Sequence, residues 1–115
     1  MEQDCIFCKI ISGIIPSQIL YQDGEVIVIR DINPKAPTHL LVIPRAHIPT
    51  LSDLTPAQSP MVGHLIRIAI KMANKEGIET KGYRVIINCG KEGGQEVAHL
   101  HLHVLGGRKL PGLLG

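Results

Sequence analysis

Apolar and polar positions along this chain change period several times, and each change marks an element. Ile6, Phe7, Ile10, Ile11, Ile14 and Ile15 predict a short amphipathic helix from Cys5 that ends near Gly13 and is stopped by Pro16. Ile19-Leu20-Tyr21-Gln22 reads as a strand, Asp23-Gly24 as a two-residue hairpin turn, and Glu25 to Asp31 as the β-branched return. Asn33-Pro34-Lys35-Ala36-Pro37 interrupts pairing, and Thr38 to Ile43 is a third strand closed by Pro44. Thr55-Pro56-Ala57-Gln58 has the hydroxyl, proline and glutamine of a capping box. Val62, Leu65, Ile66, Ala69, Met72 and Ala73 continue at helical spacing, and Gly77 ends this long helix. Tyr83 to Asn88 is a fourth strand.

The last element carries the chemistry. From Ala98 to Leu105, His99, His101 and His103 alternate with Leu100, Leu102 and Val104. Alternation is the strand period, so the imidazoles share one face and the aliphatics the other. Short links between neighbouring strands favour an antiparallel sheet. The predicted fold is therefore α+β, a five-stranded antiparallel sheet with one short and one long helix, in one domain over residues 1–115.

Composition narrows the function. Apolar residues make up 44% of the chain and charged residues 19%, values of an ordinary globular domain. The net charge is only +2, and Phe7, Tyr21 and Tyr83 are the only aromatics. A base-stacking surface is thus unavailable, and polymeric nucleic acid is not an expected partner. The first residues lack a signal-peptide pattern and no apolar run spans a membrane, so a cytoplasmic protein without membrane contact is expected. The three cysteines, Cys5, Cys8 and Cys89, suit a reducing compartment.

Three imidazoles on one face admit two chemistries. They can ligate a metal, or one can attack phosphorus as a nucleophile while its neighbours hold oxygens. Gly90, Gly93 and Gly94 just before them form either a plain turn or a nest of N–H donors for a phosphate. Cys5-x-x-Cys8 is either a pair of packed thiols or half of a zinc site, and the context of a redox motif is missing.

The motif His99-Leu100-His101-Leu102-His103-Val104-Leu105 resembles that of the histidine triad (HIT) proteins. The resemblance extends to Cys5–Ile11, Asp31-Ile32-Asn33-Pro34, Ala36–Pro44 and Gly94-Gln95-Glu96-Val97, and covers about residues 4 to 109. It is strongest to the small nucleotide-binding members, which implies a homodimer whose sheet continues across the interface. It also implies cleavage at the α-phosphorus of purine nucleotide conjugates without a catalytic cofactor.

Carried over by position, the resemblance makes His101 the nucleophile and gives phosphoryl oxygens to His103 and the backbone near Val97. It places His99 and His39 in the polar network behind His101, and Asn88, Gly94 and Gln95 at the phosphate. Asp31 would bind the ribose hydroxyls, and Ile6, Phe7, Ile10, Ile29 and Ile32 would line the base pocket. For the cysteines it implies a structural zinc on Cys5, Cys8, His47 and His99. Two departures stand out. Glu96 replaces a serine found in animal members, and the tail from Arg108 lacks the tryptophan that relatives place near the partner's site.

Overall fold

A computed structural model describes residues 4–112; Met1–Gln3 and the tail beyond 112, which the sequence reading also touched, lie outside them. Helix α1 (Ile6–Ile11) precedes strands β1 (Ile19–Gln22), β2 (Val26–Arg30) and β3 (Thr38–Pro44). Helix α2 (Ser59–Lys75) then crosses to β4 (Tyr83–Ile86) and β5 (Leu102–Gly106). The sheet order is β1-β2-β3-β5-β4 and each neighbouring pair is antiparallel. The predicted α+β architecture is the one observed. No helix among the described residues is long and apolar enough to cross a membrane.

The period-2 pattern sorts the sheet into two faces. Val26, Val28, Leu40, Val42, Leu102 and Val104 pack against Leu65, Ile68, Ala69 and Met72 of α2. Ile27, Ile29, Leu41 and Ile43 pack against Phe7 and Ile10 of α1. The central strand β3 is therefore buried along its whole length. Burying a side chain such as Leu40 contributes about 1.5–3 kcal/mol, so the two-sided core dominates the stability.

Several boundaries differ from expectation for identifiable reasons. The Thr55 capping box closes a 3-10 turn, Pro56–Gln58, and α2 begins only at Ser59. Pro60 has no N–H for the carbonyl of Pro56, so the α-type ladder starts later. Ile66 is 47% exposed, whereas Ile68, absent from the expected apolar stripe, is buried. Helix α2 ends as predicted, with Gly77 at φ +74° and paired bonds from Gly77 N to Asn74 O and Ile78 N to Ala73 O. Helix α1 ends as predicted, with Ser12 as its cap and a left-handed Gly13 after it.

The histidine strand is also shorter. Ala98 to His101 leave the ladder, because Leu100 N–H donates to the carbonyl of Ile48 rather than to a strand. The alternation nevertheless persists: Leu100, Leu102 and Val104 all join the α2 core. Strand β4 stops at Ile86, and the long segment to β5 is no simple hairpin.

The β1–β2 turn is built around Asp23 rather than around a glycine with positive φ. Asp23 Oδ1 accepts from the N–H groups of Glu25 (2.8 Å) and Val26 (2.9 Å). Its Oδ2 accepts from the Tyr21 hydroxyl at 2.8 Å and lies 2.7 Å from His64 Nε2 on α2. Desolvation pushes the Asp23 carboxyl up, but these bonds outweigh it and hold the group well below the usual carboxylate range. Asp23→Ala should cost about 1–3 kcal/mol at neutral pH. A depressed folded-state pKa stabilises above the unfolded value and is lost as pH falls below it. The gap between wild type and variant, measured by denaturant titration, should therefore narrow steadily below about pH 4.

Candidate active site

The imidazole face of β5 meets α1 in a buried row. His101 and His103 ring centroids lie 4.9 Å apart, and Phe7 stands edge-on to His101 at 5.0 Å. His99 is fully buried and His101 is 6% exposed, so the row is packed beneath α1 and not spread toward solvent. His39 comes from β3, two residues from Leu41, which pairs with His103, and so shares its face of the sheet.

Main-chain groups decide which nitrogen of each ring carries the proton. His101 Nδ1 lies 2.7 Å from the carbonyl oxygen of His99. A carbonyl can only accept, so Nδ1 is protonated and Nε2 keeps its lone pair. Lys35 N–H donates to His39 Nδ1 at 3.0 Å, which puts the His39 proton on Nε2. That nitrogen is 2.9 Å from His103 Nδ1 and 3.4 Å from Asp31 Oδ2. His103 Nδ1 then accepts, and its Nε2–H is free to donate. Burial lowers the pKa of His39, His101 and His103, with His103 pushed down to about 4. In His103 the neighbouring His101 and His39 add to the burial effect. The pair thus combines an unprotonated nitrogen on His101 with an N–H donor on His103.

A cavity of about 670 Å³ opens over this pair. Ile6, Phe7, Ile10, Ile29 and Ile32 line its apolar side, and Asp31, Asn88, Gly94 and Val97 line the remainder. Asp31 is braced at one oxygen by Asn33 N–H at 2.8 Å. Gln95 departs from expectation: its amide turns away from the cavity, accepts from Gly90 N–H and donates to the carbonyls of Pro49 and Val97. It braces the glycine loop instead. Asn88 Nδ2 donates to Gly93 O at 2.8 Å, and a Cβ on Gly93 would stand 2.3 Å from Cys89 O, so only glycine fits there. His99 and His39 also divide differently from expectation. His101 is held by the His99 main chain rather than by its ring, and His39 bonds His103.

The ring of His99 joins a second cluster. Its Nδ1 lies 3.3 Å from Cys5 Sγ, 3.6 Å from Cys8 Sγ and 3.2 Å from His47 Nδ1. The four ligand atoms fall within 4.8 Å of one another. His99 Nε2 donates to the carbonyl of Pro44 at 2.8 Å, leaving Nδ1 unprotonated toward the thiols, as a metal ligand requires. Asp31, His39 and His103 are equally close together, but there the hydrogen bonding opposes a metal. His39 Nδ1 already accepts from Lys35, so its Nε2 is occupied by the proton. The cysteine cluster has the chemistry of a closed S₂N₂ site and the active-site cluster does not.

Some cavity residues had no sequence signal. Arg84 and Arg108 line it although they are distant in sequence from the motif. Only the pairing of Arg84 with Leu105 in the sheet brings the first of them to this face.

Comparison with known proteins bears directly on this geometry. The sequence model of the HIT domain matches residues 12–110. This chain belongs to the HIT family. It is 49% identical to a purine nucleoside phosphoramidase of Escherichia coli strain K12, over 99% of this chain and 96% of that protein. A histidine triad protein from Clostridium difficile superposes with TM-score 0.95 at 46% identity, covering 99% of both chains. A HIT family hydrolase from Legionella pneumophila Philadelphia 1 gives TM-score 0.92 at 44% identity, covering 94% of this chain and 96% of that one. The HIT match begins after α1, so Phe7 and both thiols of the second cluster precede the matched segment.

Proposed function

We propose that this HIT protein is a nucleotidyl hydrolase that cleaves purine nucleoside phosphoramidates and related adenylates at the α-phosphorus. The observation carrying this reading is the His101 ring, whose Nδ1–H is tied to the His99 carbonyl so that Nε2 is an available nucleophile in the cavity. Nε2 attacks phosphorus, the bond to the leaving amine breaks with its electron pair, and the amine takes a proton from water. A nucleotidyl-histidine results. Water then adds to phosphorus, the P–N bond to His101 breaks, and the nucleoside monophosphate departs with the proton balance restored to solvent. His103 Nε2–H and the main chain near Val97 stabilise the charge gathering on the phosphoryl oxygens. Asp31 accepts from the ribose hydroxyls, and the apolar wall from Phe7 to Ile32 holds the base with little power to discriminate between purines. No catalytic metal takes part.

Cys5, Cys8, His47 and His99 would hold a zinc ion, which would tie the start of α1 to the segment leading into β5. The protein is a homodimer joined along β4, an unpaired sheet edge whose Val85 is 42% exposed. A reducing cytoplasm, in which the Cys5 and Cys8 thiols stay available to the metal, is the compartment in which it works.

Two experiments test these assignments. His101→Asn should bind nucleotide normally while turnover of an adenosine phosphoramidate falls roughly 10⁴-fold or more. Denatured wild type should carry labelled nucleotide on that histidine, and product formation without such label would exclude the intermediate. Tight binding with negligible wild-type turnover would point instead to a nucleotide-binding module. Elemental analysis of protein purified without a His tag should find about one zinc per chain, and Cys8→Ser should lose it together with several degrees of Tm.

A further inference from the structure

Cationic and anionic side chains both line the cavity. Arg84, Arg108 and Lys35 line it near Leu105: Arg84 pairs with Leu105 across the sheet, and Arg108 donates to the Lys35 carbonyl at 2.8 Å. Their side chains rest on main-chain oxygens of Pro111, Lys109, Lys35 and Asn33, not on carboxylates. That positive end suits the nucleotide anion. Four residues earlier along the chain, about 13 Å in extended form, lies His101. Two carboxylates, Asp31 and Glu96, line the same cavity.

Glu96 lines the cavity beside Val97 and is exposed to it. Unlike Asp31, which accepts from Asn33 N–H, Glu96 has no hydrogen bond or ion pair among the described residues. On its other side it borders a hollow shared with Asp4, Cys5 and His47. His101 lines the same cavity. Once base, ribose and phosphoryl oxygens are given to the residues above, Glu96 remains as an unassigned charge beside the reacting centre. A carboxylate there repels the phosphate itself, so its use must lie with the other substituent on phosphorus.

We propose that Glu96 selects the leaving group, favouring amines that carry a positive charge, such as a diamine or a basic amino acid joined through nitrogen. The carboxylate pairs with the ammonium of that group and so aligns the P–N bond for attack by His101. Neutral leaving groups gain nothing from it, and acidic ones are repelled. The inference rests on the hydrolase reading above.

The test uses the full-length protein and three adenosine phosphoramidates that share one linker and end in an ammonium, a methyl or a carboxylate group. Wild type should prefer the ammonium over the carboxylate substrate in kcat/KM by about tenfold or more. Glu96→Gln, isosteric and at an exposed position, should flatten that ratio toward unity, and Glu96→Lys should invert it. Equal kcat/KM for all three substrates, or a wild-type ratio retained by both variants, overturns the leaving-group assignment and leaves the hydrolase reading standing. Failure of wild type to turn over any of the three removes both.

Discussion

The structure turns on a hydrogen bond from an imidazole to a main-chain carbonyl, used twice. His101 gives its Nδ1 proton to His99 O, and His99 gives its Nε2 proton to Pro44 O. Because a carbonyl cannot donate, each bond specifies a tautomer without any charged partner. One leaves a lone pair facing the cavity, the other a lone pair facing two thiols. His39 is set by the converse device, an amide N–H that can only donate. Three rings of identical chemistry thereby receive three different jobs from the backbone around them.

These bonds depend on the sheet behind them. β3 is the central strand, buried on both faces, and pairs with β5 over Thr38 to Val42. That register brings His39 beside His103, and a slip of one residue would turn every imidazole into the α2 core. Where Pro44 closes β3, the segment before β5 bonds to Ile48 and Pro44 instead of a strand. The departure from regular pairing thus supplies the carbonyl that fixes His99. Phe7 of α1 covers both His99 and His101, edge-on at 5.8 Å and 5.0 Å. Burial beneath it lowers the proton affinity of His101 and keeps the ring neutral.

Two clusters of potential ligands lie on either side of His101, and proximity alone does not distinguish them. The hydrogen bonds on the far ring nitrogens do. A ligating histidine needs an N–H on its distal nitrogen, and His99 has one whereas His39 has an acceptor. The same logic separates Gln95 from Asn88. Gln95 spends its amide on Gly90, Pro49 and Val97 and holds the loop, while Asn88 lines the cavity.

The alternation of His99, His101 and His103 with Leu100, Leu102 and Val104 was enough to predict a two-faced strand, and with the helical spacing of α2 it yielded the α+β architecture. Local periodicity and the capping and glycine signals report the nearest neighbours of each residue, and these were legible in sequence. The histidine strand was cut short by a remote group, Ile48 capturing Leu100, whereas Pro60 delaying α2 and Asp23 closing the β1–β2 turn with side-chain bonds are local effects that the periodicity does not report. The division of hydrogen bonds among the rings, the turn of Gln95 away from the cavity and the arrival of Arg84 and Arg108 at the cavity were decided only by tertiary structure. Each depends on which main-chain oxygen or amide, remote in sequence, reaches a given side chain, and residue spacing along one strand carries no information about that.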